Sequence, residues 1–148
     1  MRIIVTGDRK WYATELAEEV VARLIARYGG SIVIVHGAAT GIDQSFAEAC
    51  ADSGVEQERH PARWEDIYCE GAVVRHDRKR PYNANAGPMR NSEMVALGAD
   101  MCLAAHRRIR FSKGTRDCAL KAIEAGIPTY LIDREEVSPR RLRLEDLI

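Results

Sequence analysis

The sequence predicts an α/β domain, a three-layer αβα sandwich whose helices cover both faces of a mostly parallel sheet. Three observations predict it. Short β-rich apolar runs alternate with helical patterns along the chain. The run Ile32 to His36 is continuously apolar up to its last residue, as in a strand buried on both faces. That run passes through Gly37-Ala38-Ala39-Thr40-Gly41 straight into a helix with Ile42, Phe46, Ala49 and Cys50 on one side.

Taken in order, Arg2 to Thr6 reads as the first strand, closed by Gly7-Asp8-Arg9. A helix follows from about Ala13 to Tyr28. Leu16, Val20, Val21, Leu24 and Ile25 recur at helical spacing, and Gly29-Gly30 stops it. After the second strand and helix, Val55 to His60 takes the place of a third strand. Glu56, Gln57, Glu58 and Arg59 make it polar, which assigns it to an edge.

Pro61 to Gly87 is irregular. It holds Trp64, Ile67 and Tyr68, the basic run Arg75 to Arg80, and the turn-forming Asn83 to Pro88. A connection this long is either functional, as a lid, or a solvated surface loop. Pro88 suits the first position of a third helix reaching about Leu97. Asp100 to Ala105 is the fourth strand. Phe111-Ser112-Lys113-Gly114-Thr115 leads into a helix that carries Cys118, Ala119, Ala122 and Ile123 inward, and Pro128 to Ile132 is the fifth strand. The expected division is a domain over 1–132, with an insertion at about 65–87, and a tail over 133–148. Val137, Leu142, Leu144 and Leu147 fit that tail to pack on the domain or on a second subunit.

Right-handed crossovers place these strands in the order 3-2-1-4-5, with a switch point between the first and fourth. Ligands of such sheets bind beyond the C-terminal strand ends at that crevice. Three small-residue turns converge there: Thr6 to Arg9, Gly37 to Gly41, and Lys113-Gly114-Thr115. Small residues let a ligand approach the backbone, and helix N-termini favour an anion. A phosphate-bearing ligand is therefore expected.

Composition narrows the function. The 148 residues carry 22 basic and 22 acidic side chains, a formal net charge of zero, which argues against electrostatic binding of long nucleic acid. The four cysteines lack metal-pair spacing and fit a reduced, cytoplasmic protein; no run approaches a membrane span. Both the Walker pattern and Gly-x-Gly-x-x-Gly are absent, which excludes a P-loop NTPase and an ordinary dinucleotide dehydrogenase. No metal and no cofactor is expected, because no His, Cys and carboxylate grouping has ligand spacing.

Six motifs in order carry a family resemblance. They are Val5 to Arg9 with Trp11, Val35 to Asp43, His60 to Trp64, Ala86 to Met94, Lys113 to Asp117, and Ala125 to Pro128. Together they resemble the YspA-type, cpYpsA-related branch of the SLOG superfamily, found in bacteria and phages. The resemblance implies a Rossmann-like fold that holds nucleotides or nucleotide-derived ligands. The superfamily includes the cytokinin-activating phosphoribohydrolases and DNA-processing protein A.

Arg90 and Met94 match the Arg and Met that the phosphoribohydrolases carry four residues apart, and Gly114-Thr115 match their Gly-Thr. Cys118 stands where their catalytic Glu would be, and Asp117 is about 100° away around the helix. The expected ligand-binding residues are Gly7, Asp8, Arg9, Gly37, Ala38, Thr40, Gly41, Asp43, Gly87, Arg90, Asn91, Lys113, Gly114 and Thr115. If the protein is an enzyme, Arg90 with Asp117 or Asp43 would cleave an N-glycosidic bond, since that reaction needs a carboxylate to activate water. Asp43 reads equally as a carboxylate stabilised by its helix dipole, and Arg90 as a partner of Glu93 or Asp117. Trp11 and Trp64 suit base stacking or core packing. Single-stranded DNA binding through Arg75 to Arg80 is a third reading, and a homodimer is the expected assembly.

Overall fold

The computed structural model describes residues 1–148. In chain order the elements are β1 (Arg2–Gly7), α1 (Thr14–Tyr28), β2 (Val33–His36), α2 (Ile42–Ser53), β3 (Glu56–Arg59), β4 (Val74–His76) and β5 (Pro81–Asn83). There follow α3 (Ala86–Ala96), β6 (Met101–Ala105), α4 (Gly114–Glu124), β7 (Thr129–Ile132) and β8 (Arg140–Arg141). The main sheet has the order β3-β2-β1-β6-β7-β8. All neighbours are parallel except β7 and β8. The expected order and the central first strand are therefore present, and the architecture is a Rossmann-like αβα sandwich.

Both faces of the sheet are buried, which explains the continuous apolar runs. Ile3, Val5 and Ile34 pack with Leu16, Val20, Val21 and Leu24 of α1 and Ile42, Phe46 and Cys50 of α2. Ile4 and Val35 point the other way, onto Met94 of α3 and Cys118 and Ala122 of α4. The side-chain alternation of a strand thus serves two cores at once.

β3 is polar because its side chains have partners. Arg2 reaches across β2 to clasp both Glu58 oxygens, each at 2.7 Å. Gln57 accepts from His36 Nε2 at 2.9 Å and donates to the Ala47 carbonyl. Ala38 N–H donates to His36 Nδ1, so the proton of this buried ring sits on Nε2.

Three details differ from expectation. Within Pro61 to Gly87 an antiparallel hairpin forms from β4 and β5, with Asp77 Oδ1 accepting from the Lys79 and Arg80 N–H groups at its turn. Pro88 is the third residue of α3 rather than the first, still in the turn where a missing N–H costs little. Beyond β7 the chain adds the short edge strand β8. Leu142 and Leu147 then bury themselves against Leu131, Ala104 and Ala119.

Candidate functional site

β1 and β6 lie side by side, but their following connections depart to opposite sides of the sheet. Where they part, a crevice of about 560 Å³ opens. Five segments reach it. Gly7, Asp8 and Arg9 come from the end of β1, Ala39 and Asp43 from the turn into α2 and its first residues, Arg90 and Asn91 from α3, His106 from the end of β6, and Lys113, Gly114 and Thr115 from the start of α4.

Glycine is required at two positions behind this rim. A Cβ on Gly7 would overlap Ile42 and crowd the Ala105 carbonyl, so the bare backbone lets α2 dock on the strand end. Gly41 has φ +74°, and a Cβ there would overlap the Asp8 and Arg9 backbone. The Ile42 N–H donates to the Asp8 carbonyl at 3.1 Å, and the Thr40 hydroxyl donates to the Arg9 carbonyl at 3.0 Å. The two turns are stitched together.

The Gly37 to Gly41 turn holds an anion, but it is the chain's own. Asp43 Oδ2 accepts from the N–H groups of Gly37 and Ala39 at 3.1 and 3.2 Å. Gly37, Ala38, Thr40 and Gly41 do not line the crevice, and neither does Gly87, which packs beside Trp64. Of this turn only Ala39 lines the crevice, and three of the donors expected to meet the ligand's phosphate are already engaged: the Gly37 and Ala39 N–H groups on Asp43 and the Ala38 N–H on His36 Nδ1. The other oxygen, Asp43 Oδ1, is buried with no hydrogen-bond partner. Burial raises the carboxyl above its ordinary range, against the pull of the Ala39 N–H, Arg90 and the Gly37 N–H.

Arg90 pairs with neither Glu93 nor Asp117. Its Nη1 donates to the Gly37 and His60 carbonyls at 2.7 and 3.2 Å, and its Nε to Asn91 Oδ1 at 2.9 Å. Asn91 passes the chain of bonds onward, donating from Nδ2 to the Gly114 carbonyl and to Asp117 Oδ2. Asp117 is held by Lys121 at 2.9 Å, accepts from Asn91, and is not among the residues that line the crevice. Burial lowers the Arg90 pKa, Asp43 opposes this, and the nearby Arg9 adds to it.

The start of α4 is open. A Cβ on Gly114 would meet nothing within 4 Å, and the Thr115 N–H is capped by the Ser112 hydroxyl at 3.1 Å. With Arg9, Lys10, Arg90 and Lys113 the crevice gathers four cations against the carboxylates Asp8 and Asp43. Cys118 is wholly buried and free, the packing role of an apolar thiol.

Six lining residues lie outside the set expected from the sequence: Thr6, Lys10, Ala39, His106, Phe111 and Ser112. His106 follows β6 directly and faces Asp8 Oδ2 at 3.8 Å; its Nδ1 accepts from the Arg108 N–H. Burial lowers its pKa and Asp8 partly restores it. Phe111 is 79 % exposed, with Arg108 over its ring at 4.8 Å. For Lys10 and His106 the available signal was a position just past a strand end.

Strand order, switch-point crevice and open helix start define a Rossmann-like protein. The model of the YspA, cpYpsA-related SLOG family matches residues 1–66. The Gene 61 protein of Mycobacterium phage D29 is 36% identical over 132 residues, which span 86% of this chain and 92% of the phage protein. The chain belongs to the YspA, cpYpsA-related SLOG family. No helix is long and apolar enough to cross a membrane, and no group of three or more His, Cys, Asp or Glu residues could hold a metal ion.

Proposed function

We propose that the crevice binds a nucleotide or nucleotide-derived ligand by its phosphate. The observation that carries this reading is the open space at Gly114, where α4 begins, in a crevice with four cations. A phosphate there meets the positive end of the helix dipole, with Lys113 beside it. Arg90 already spends Nη1 and Nε within the protein, so Nη2 is the edge it offers an anion. A ligand anion would also relieve the mutual repulsion of Arg9 and Arg90. Asp8 and His106 supply an acceptor and a donor for ribose hydroxyls. Family membership supports a nucleotide-related ligand. Titration calorimetry with nucleoside mono- and diphosphates tests this: saturable binding that Lys113→Ala weakens is expected, and no heat from any of them would end the proposal.

A second reading rests on Asp43 Oδ1. A buried carboxylate with one unpaired oxygen at a ligand crevice is equipped to take a proton from water. In N-glycoside hydrolysis that water adds to ribose C1′ as the bond to the base breaks, and the departing base takes up a proton. Release of free base from nucleoside monophosphates, lost in Asp43→Asn and kept in Asp117→Asn, would establish this activity.

A further inference from the structure

A second cavity, of about 430 Å³, lies on the other side of Arg9. It is lined by Trp64 and Tyr82, with Arg9, Arg80, Glu65 and Asp77 around them. Resting on the nucleotide reading above, we propose that this cavity is the base subsite, taking the planar ring of a nucleoside phosphate whose phosphate lies in the crevice.

Three features support it. Charge sorts the two cavities: the crevice has an excess of cations, whereas here two guanidinium groups face two carboxylates. A phosphate is drawn to the first and a neutral ring fits the second. The aromatic wall is also preorganised. The Asn83 N–H donates to the Trp64 carbonyl at 2.6 Å, and buried Asn83 also accepts from the Val73 and Asn85 N–H groups. A Cβ on Gly87 would stand 3.3 Å from Trp64 Cη2, so only glycine lets the indole settle against α3 without crowding. Holding the ring in place before binding lowers the ordering cost. Finally, the Arg9 guanidinium lies 5.2 Å from the Trp64 ring centroid while the same residue lines the crevice. One side chain therefore borders both cavities, as the ribose of a nucleotide joins base to phosphate. Stacking on aromatic faces tolerates any base, so the slot sets ligand class more than base identity.

The test is calorimetry with ADP, GDP, CDP and UDP, and with inorganic pyrophosphate as the base-free probe. Trp64→Ala and Tyr82→Ala should each weaken the best-binding nucleotide about tenfold or more and leave pyrophosphate affinity unchanged. Trp64→Phe should restore most of the loss. If Trp64→Ala does not fold by circular dichroism, Tyr82→Ala, on the two-stranded hairpin outside the main sheet, carries the test. Nucleotide binding that is weakened by Lys113→Ala but indifferent to both aromatic variants would overturn the base subsite alone. Failure of every probe to bind the wild-type protein would overturn both this inference and the reading beneath it.

Discussion

Arg90 Nη1 donates to the carbonyl of Gly37 at 2.7 Å, and the space a Gly37 Cβ would need is filled by that same guanidinium. Helix α3 is thereby fastened to the turn that leads into α2, and Asp43 holds the N–H side of the same turn. A methyl at residue 37 must push the guanidinium off two carbonyls. Gly37→Ala should cost about 1–3 kcal/mol, the range for disturbing hydrogen bonds to a charged group. Urea denaturation measures it, and Arg90→Ala in the same background should add little further, because the two changes break the same contacts to the Gly37 and His60 carbonyls.

Two glycines separate fold from ligand. Gly41→Ala places a methyl into the Asp8 and Arg9 backbone at a positive φ, so it should destabilise by about 3 kcal/mol or more and leave little folded protein at 37 °C. Gly114→Ala meets only open space at the start of a helix, and should keep or slightly raise stability, by up to about 1 kcal/mol. The same methyl should nonetheless weaken nucleotide binding. Thermal melts and calorimetry on both variants check the contrast.

Asp43 makes stability fall with rising pH. Its carboxyl is held above the ordinary value in the fold, so between the unfolded and folded pKa values the native state binds more protons. Stability should decline as pH rises through that window. Asp43→Asn keeps an oxygen for the Gly37 and Ala39 N–H groups and should remove this decline. Melting temperatures from pH 4 to pH 8 read it as a flatter profile.

Glu58 acts with the opposite sign. Arg2, then His60, hold its carboxyl down to about 2. Its stabilisation is complete above the unfolded value and is lost as pH falls through the folded one. Its side chain is 35% exposed, so water screens the clasp and Glu58→Gln should cost only about 1 kcal/mol at pH 7. That difference should shrink toward zero near pH 2, by urea denaturation at each pH.

Most of the sheet was legible because burial on both faces writes an unbroken apolar run, as in Ile3 to Val5 and Ile34 to Val35. The polar β3 was legible only as an edge; the clasp of Arg2 on Glu58 joins residues 56 apart in the chain, which no local pattern records. β8 is two exposed arginines, and β4 to β5 is a short hairpin carrying three exposed residues, so neither leaves a hydrophobic signature. The crevice itself followed from strand order. What hid was the allocation of donors within it. Glycine spacing at Gly37 to Gly41 looks the same whether the N–H groups await a phosphate or already hold Asp43. Only the fold shows that Asn91 stands between Arg90 and Asp117.

A loop that carries its own counter-ion is finished before any guest arrives. Asp43 keeps the Gly37 to Gly41 backbone shaped in the empty protein, so occupation of the crevice needs no closing of that segment and loses no chain entropy there. The amide hydrogens of Gly37 and Ala39 should therefore exchange with deuterium at the same slow rate whether the protein is loaded or bare.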